Sequence, residues 1–126
     1  MRPTVLVVDD EPPIVEIIHD ILESRGYRVP ATSDTERALA ILEEDPGPFD
    51  VLLTDVRMPQ RTGPELAALV QQRWPHCKAI FMSGHSHESL PKGAVPPDAH
   101  VLVKPVTLEA LLVAVGTALG PRALDC

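Results

Sequence analysis

The chain alternates short, continuous apolar runs with longer stretches in which apolar residues recur at helical spacing. A continuous apolar run rich in β-branched residues is typical of a strand buried on both faces of a sheet. The weakest candidate strand contains Pro30, which cannot donate to a ladder of hydrogen bonds, so that strand is expected at a sheet edge. The predicted strands are residues 4–8, 27–32, 49–54, 78–83 and 100–103.

Four stretches between or after these strands have the features of helices. The first is expected to end near Gly26, and the third at about Arg73, where Pro75 prevents its continuation. Their expected starts are marked by Pro12–Pro13, by Asp34 as an N-cap, by Pro64 and by Thr107 as an N-cap. Strands that alternate with helices predict an α/β domain with a parallel, doubly wound sheet and helices on both faces.

Size and composition limit the classes of function. The 126 residues suit one domain, which we expect over residues 1–121, followed by a short C-terminal tail at 122–126. A net charge of −7 argues against direct binding to nucleic acid or to anionic membranes. The sequence shows neither a signal-peptide pattern nor an apolar run of about 18 residues. Its two cysteines lack metal-ligand spacing, so we expect reduced thiols in a cytoplasmic protein.

Polar residues that could take part in binding or catalysis lie at the ends of four of the predicted strands. Asp9 and Asp10 follow the first, Asp55 the third, Ser83 ends the fourth and Lys104 follows the fifth. Each has an ordinary alternative, as a helix cap, a turn residue, a loop start or a solvated lysine. Because the carboxyl ends of parallel strands share one edge, all five are expected to converge in a crevice there. Oxygen ligands favour Mg²⁺, with Mn²⁺ as an alternative, and the central carboxylate is a candidate nucleophile in phosphoryl transfer.

Four motifs together give a specific resemblance: "VVDDE" at 7–11, "LLTDVRMP" at 52–59, "MSG" at 82–84 and "KP" at 104–105. In their order, spacing and placement at strand ends, they resemble the receiver domain of two-component response regulators. "FMSGH" at 81–85 also resembles receivers attached to hybrid sensor kinases. The resemblance implies a flavodoxin-like strand order, 2-1-3-4-5.

The resemblance also implies roles for individual residues. Asp55 would accept a phosphoryl group from the phosphohistidine of a histidine kinase or a histidine phosphotransfer protein. Asp10 matches the main metal ligand of the family, Asp9 supports the ion largely through water, and the backbone carbonyl of Arg57 matches a third protein ligand. Lys104 would pair with the phosphoryl oxygens.

Further residues match the switch of the family or depart from it. Ser83 would hydrogen-bond the phosphoryl oxygens and move on activation, and the bond before Pro105 resembles the family's cis peptide. Val101 stands where the family often has an aromatic residue, which puts the usual switch coupling in doubt; His100 is an alternative lever or a surface histidine. Arg57 and His85 match positions that line the path of the hydrolytic water, or are solvated loop residues.

Residues 84–99 are a poor match to the regular fourth helix of typical receivers. Pro91 would cost about 3 kcal/mol in a helix interior and Gly93 about 1 kcal/mol more. We expect at most one turn, near His87–Leu90, in a short or mobile segment that acts as a switch by becoming ordered. Dimerisation through the usual helix face is then expected to be weak, giving a monomer or a weak dimer.

Two other functions are alternatives to that of a phosphoacceptor. A Mg²⁺-dependent phosphohydrolase using an aspartyl phosphate would commonly carry a second Asp two residues after the nucleophile, where this chain has Arg57. A phosphorylation-independent docking domain is disfavoured by the intact set of site residues. The protein is therefore not expected to be an enzyme beyond self-catalysed phosphotransfer and autodephosphorylation.

Overall fold

A computed structural model describes residues 2–84 and 89–120 of the chain. Its strands are β1 (Val5–Val8), β2 (Ala31–Thr32), β3 (Val51–Asp55), β4 (Lys78–Ser83) and β5 (His100–Val103). Its helices are α1 (Pro12–Ser24), α2 (Thr35–Glu44), α3 (Gly63–Arg73) and α4 (Leu108–Leu119). The strands form one parallel sheet in the order β2-β1-β3-β4-β5, which confirms the predicted fold class and strand order.

The apolar side chains of the sheet form a core on each of its two faces. All four residues of β1 are fully buried, and they alternate between the two cores, as strand geometry requires. Helices α1 and α4 cover the face that carries Val5 and Val7. Helices α2 and α3 cover the opposite face, with Leu6 and Val8. The five strands are therefore enclosed between two helical layers.

Local signals place the ends of the helices as the sequence predicts. Asp34 accepts a hydrogen bond from the backbone N–H of Glu36 at the start of α2, and the Thr107 hydroxyl accepts one from Ala110 at the start of α4. Gly26, just beyond α1, has a φ of 91°, a conformation that glycine adopts without strain. These caps fix where each helix leaves the sheet edge.

Strand β2 is shorter than the predicted segment 27–32. It contains only two residues, with an isolated bridge from Thr4 to Arg28 nearer its start. Pro30 separates the two pairings; it offers only its carbonyl, which accepts a hydrogen bond from the Val7 N–H. The strand does lie at the edge of the sheet, as its proline predicts.

The connection from β4 to β5 forms no α-helix in its described part, residues 89–99. Two turns replace it, in which the N–H groups of Ala94 and Ala99 donate to the carbonyls of Pro91 and Pro96. Leu90 and Val95 are buried in the α2–α3 core and anchor the segment to the sheet. The first half of the turn expected near His87–Leu90 lies outside the described residues, as does the whole of the predicted tail at 122–126.

Across the two ranges that the structure covers, no helix combines the length and the apolarity needed to cross a membrane.

Candidate functional site

The carboxyl edge of the sheet collects the polar residues that follow the strands. Asp9 comes directly after β1, Asp55 is the last residue of β3, Ser83 is the last residue of β4 and Lys104 follows β5. These strands are neighbours in the sheet, and the backbone N–H of Lys104 donates to the carbonyl of Ser83 at 2.7 Å. The four residues therefore meet at one place, as the sequence predicts.

Lys104 lies between two carboxylates rather than in solvent. Its Nζ donates a hydrogen bond to Oδ2 of Asp55 at 3.0 Å. The same nitrogen lies 2.9 Å from Oδ2 of Asp9, an ion pair without hydrogen-bond alignment, and 3.9 Å from Oε1 of Glu11. Partial burial lowers the pKa of Lys104, but its contacts with Asp9 and Asp55 outweigh this effect and raise that pKa. The ammonium is therefore a fixed positive charge beside Asp55.

Asp55 is the central carboxylate of the site, and its side chain is 13% exposed. Burial raises its pKa, and the negative charge of Asp9 adds to the effect, whereas Lys104 opposes it. The backbone N–H of Arg57 approaches Oδ1 of Asp55 at 3.4 Å. One carboxylate oxygen thus faces the lysine, while the other faces the start of the following loop.

Asp9 and Asp10 complete an acidic cluster with Asp55. Asp9 is fully buried, and its Oδ1 accepts a hydrogen bond from the N–H of Glu11 at 2.9 Å. Asp10 is exposed, and one carboxylate oxygen from each of the three aspartates lies within 4.8 Å of the others. Within the described part of the chain, the buried Oδ2 of Asp9 has the ion pair with Lys104 but no aligned hydrogen-bond donor. An all-oxygen cluster with more negative than positive charge and an open side toward solvent fits a hard divalent cation such as Mg²⁺.

The backbone after Asp55 is packed in a way that the sequence does not reveal. The N–H of Gly63 donates to the carbonyl of Val56 at 2.8 Å, and a Cβ on Gly63 would overlap the carbonyl oxygen of Asp55. Only glycine fits this close approach of two backbones. The sequence marks the helix start at Pro64 but gives no sign of this contact, because the contact depends on how α3 meets β3.

The other predicted site residues differ in how near they lie to the acidic cluster. Ser83 is buried at the end of β4, and the Lys104–Pro105 peptide bond is cis. Val101 is half-buried and packs against the α2–α3 core. His100 is exposed at the opposite end of β5 from Lys104, a position remote from the acidic cluster. His85 lies outside the described residues.

Glu11 is a further member of the site that sequence reasoning left without a role. Its carboxylate approaches Lys104 at 3.9 Å, while 60% of the side chain remains exposed. The only sequence signal was its position in the acidic run that begins at Asp9. Its weak, exposed contact adds negative charge at the rim and holds the lysine loosely.

Comparison with known proteins identifies the family. The sequence model described as "Response regulator receiver domain" matches residues 5–116. The response regulator receiver protein CpdR of Brucella abortus is 34% identical over 109 residues, which cover 86% of this chain and 89% of that protein. The sensor kinase CckA of the same organism is 36% identical over 110 residues, which cover 86% of this chain.

Solved structures agree with the sequence comparison. A response regulator receiver domain protein from Clostridium thermocellum has a TM-score of 0.81 and 30% identity, covering 98% of this chain and 99% of that one. The receiver domain of the hybrid histidine kinase CckA has a TM-score of 0.76 and 31% identity, covering 92% of this chain and 98% of that one.

Several curated relatives are much longer than this chain. It spans 12% of the CckA sensor kinase and 24% of the response regulator protein FleR of Pseudomonas aeruginosa. Those proteins share a single module with this chain. The sequence match, the fold and the strand order of this module all indicate the same family. The chain belongs to the family of response regulator receiver domains of two-component systems.

Proposed function

We propose that this receiver domain accepts a phosphoryl group on Asp55. The observation that carries the proposal is the position of Asp55, a largely buried carboxylate held by Lys104 and adjacent to two further aspartates. Burial restricts its solvation, while the lysine stabilises the ionised, nucleophilic form. A carboxylate in this setting is suited to form an acyl phosphate.

In the proposed step, an oxygen of Asp55 attacks the phosphorus of a phosphohistidine on the partner. The oxygen–phosphorus bond forms as the phosphorus–nitrogen bond breaks, and its electron pair stays on the imidazole nitrogen of the partner. The ammonium of Lys104, 3.0 Å from Oδ2 of Asp55, lies where it can pair with the transferred phosphoryl oxygens. The chain's own contribution is thus orientation of the carboxylate and a fixed positive charge.

Asp9, Asp10 and Asp55, with the backbone carbonyl of Arg57, are the residues that we propose hold Mg²⁺, with Mn²⁺ as an alternative. The cation would neutralise the acidic cluster and the phosphoryl oxygens during transfer. Asp10 is the exposed member, so it is free to bind directly, whereas Asp9 is buried and already accepts from Glu11. The three-carboxylate cluster supports this assignment.

Ser83 is the proposed switch hydroxyl, because it ends β4 beside Lys104. We propose that it hydrogen-bonds the phosphoryl group and draws the following connection toward the site. Val101 offers no aromatic ring for the coupling that is usual in the family, so the segment around Leu90 and Val95 is the proposed moving part. His85 and Arg57 are proposed to flank the path of the hydrolytic water.

The proposed partner is a sensor histidine kinase or a histidine phosphotransfer protein. The similarity to the hybrid kinase CckA supports this class. The net charge of −7 disfavours direct contact with nucleic acid and with anionic membranes. We further propose a cytoplasmic protein that is a monomer or a weak dimer.

A phosphohydrolase is the less favoured alternative. Two residues after Asp55, where such enzymes commonly place an acid–base aspartate, this chain has the exposed Arg57. Self-catalysed phosphotransfer and autodephosphorylation are therefore the catalysis that we propose. A phosphorylation-independent docking role would give no function to the ion pair between the largely buried Asp55 and the partly buried Lys104.

Phosphorylation of Asp55 is tested by incubating the protein with Mg²⁺ and acetyl phosphate and measuring its intact mass. Wild type is expected to gain one phosphoryl group, and Asp55→Asn none. Asp98→Asn removes an exposed aspartate and serves as the matched control. A phosphoryl group that persists in Asp55→Asn would exclude this residue as the acceptor.

Binding of the cation is tested separately from phosphorylation. At a Mg²⁺ concentration ten times its dissociation constant, wild type should gain about 1.4 kcal/mol of unfolding free energy. Asp10→Ala should lose most of this gain, and the binding should weaken at low pH because carboxylates must be ionised. If Asp10→Ala were stabilised as strongly as wild type, the cation would bind elsewhere.

A further inference from the structure

The loop at residues 57–62 connects Asp55 to α3 and is held firmly at its far end. Thr62 and Glu65 form reciprocal hydrogen bonds, in which the Thr62 hydroxyl accepts from the Glu65 N–H at 3.2 Å and the Glu65 carboxylate accepts from the Thr62 N–H at 2.8 Å. At the near end, the N–H of Arg57 makes a long contact of 3.4 Å with Asp55. Between these ends, Met58 packs against the α2–α3 core, but the exposed residues that follow it need another attachment to be fixed.

Thr35 provides such an attachment from a different helix. Its hydroxyl donates to Oε1 of Gln60 at 3.1 Å, across 25 residues of sequence. Thr35 is the first residue of α2 and is 4% exposed, although Gln60 itself is exposed. The contact joins the start of α2 to the centre of the loop.

Because Thr35 is nearly buried, losing its hydrogen bond to Gln60 would cost free energy. A threonine within a helix can donate to a carbonyl one turn earlier, but at the first helical residue that carbonyl lies outside the helix. Without Gln60, a nearly buried hydroxyl would lose its donor interaction. Loss of a partner at a buried donor is costly, so the bond is expected to persist in solution.

We infer that Thr35 is a positioning residue, whose bond to Gln60 holds the loop so that the backbone of Arg57 is ready to bind Mg²⁺. The inference rests on the proposed function, since Arg57 is a proposed ligand of the cation. Only two residues separate Gln60 from Arg57, so fixing one restricts the other. A loop that is ordered before binding loses less conformational entropy when the cation binds.

The test compares Mg²⁺ affinity, followed by amide shifts in NMR titrations, among wild type, Thr35→Val and Thr35→Ser. Thr35→Val keeps the shape but removes the hydroxyl, and should weaken Mg²⁺ binding measurably, by about 12-fold at most. The upper limit is the free energy of one hydrogen bond, because the affinity loses only the cost of ordering a loop that the bond no longer holds. Thr35→Ser keeps the hydroxyl and should restore wild-type affinity. Thr117→Val, at an exposed position of α4, is the matched control and should change nothing.

Two further measurements separate positioning from general destabilisation. Gln60→Met removes the acceptor without altering α2, and the double variant with Thr35→Val should be no weaker than either single variant. In the metal-free protein, amides of residues 57–61 should exchange faster in Thr35→Val than in Thr35→Ser. This readout requires no cation.

The outcomes distinguish the inference from the proposed function. If wild type bound no Mg²⁺ at the aspartates, both would be wrong. If wild type bound Mg²⁺ and Thr35→Val or Gln60→Met bound it equally well, the positioning role alone would be wrong. Additive losses in the double variant, or failure of Thr35→Ser to restore binding, would also overturn it.

Discussion

At the scale of single residues, the two ends of the sheet use charge in different ways. At the carboxyl edge, three clustered aspartates have one lysine, which contacts Asp9 and Asp55, and this leaves negative charge to be neutralised. At the opposite edge, Arg28 and Asp45 form a matched pair, with Nη1–Oδ2 at 2.7 Å and Nη2–Oδ1 at 3.0 Å. The first arrangement suits a binding site, whereas the second suits structural support.

The Arg28–Asp45 pair predicts a pH dependence of stability. The hydrogen bonds from Arg28 lower the pKa of Asp45 from its ordinary value of 3.8, against the effect of burial. Because the folded pKa is depressed, the stabilisation is present above about pH 4 and is lost as the pH falls through the folded pKa. Asp45→Asn keeps the shape and should cost about 0.5–1 kcal/mol at pH 7, since the pair is partly solvated.

The measurement is urea unfolding at pH 7 and at pH 2–3, followed by Trp74 fluorescence. The difference between Asp45→Asn and wild type should shrink at low pH. Glu43→Gln, at an exposed position of the same region, removes an equal charge and should show little effect at either pH. A difference that stayed constant with pH would show that the ion pair does not contribute.

The close packing around Gly63 predicts the effect of a second single substitution, Gly63→Ala. A methyl group there would overlap the backbone of Asp55, so Gly63→Ala must displace either α3 or the end of β3. We expect a loss of about 1–3 kcal/mol of stability, typical of overpacking, together with slower phosphorylation by acetyl phosphate. Gly116→Ala, where a Cβ meets no atom within 4 Å, is the control and should be neutral or slightly stabilising. Normal stability and phosphorylation of Gly63→Ala would contradict the close approach.

At the scale of elements, the sequence predicts the features that neighbouring residues determine, such as helix caps and buried strands. Asp34 and Thr107 cap their helices because a side-chain oxygen needs only the next turn to act. The apolar runs predict the buried strands, and parallel topology then predicts that Asp55 and Lys104 meet. What the sequence does not predict depends on distant partners: the backbone contact of Gly63 and the bond between Thr35 and Gln60.

The segment between β4 and β5 shows the same division. Its prolines correctly predict that no regular helix forms in residues 89–99, and its few apolar residues are the ones that the sequence offers to anchor it. Leu90 and Val95 do so, because they fill the core that faces α3 and Val101. Packing of this kind depends on volumes that several elements create together.

We predict that residues 89–99 exchange their amide hydrogens faster than α4 in the unphosphorylated protein. The reason is that two turn hydrogen bonds replace the repeated bonds of a helix. Stable phosphorylation, or a phosphoryl analogue, should slow this exchange if the segment acts by becoming ordered. Hydrogen exchange with mass spectrometry measures both states, and protection equal to that of α4 before phosphorylation would contradict the mobile-segment interpretation.

At the scale of the whole molecule, the position of the site restricts how a partner can approach. For the proposed transfer to Asp55, a phosphoryl donor must reach the carboxyl edge of the sheet, next to the start of α1. Ile17 lies in the second turn of α1 and is 56% exposed, with the half-buried Ile14 and Ile21 one turn away on either side. An exposed apolar residue on the helix that begins next to the acidic cluster is suited to contact a helix of the partner.

We therefore predict that Ile17→Glu slows phosphotransfer from a histidine kinase or phosphotransfer protein but not phosphorylation by acetyl phosphate. A buried charge opposite an apolar partner surface should slow transfer by about tenfold or more, since hot-spot substitutions cost 2 kcal/mol or above. Acetyl phosphate is small and needs no contact with α1. The kinase used is whichever of a panel, labelled on histidine, transfers fastest to wild type. Val113→Glu introduces the same charge on α4, where Val113 is 60% exposed, and should leave both reactions unchanged. If Ile17→Glu slowed both phosphoryl donors equally, the effect would lie in the site itself, and the docking role of α1 would be wrong.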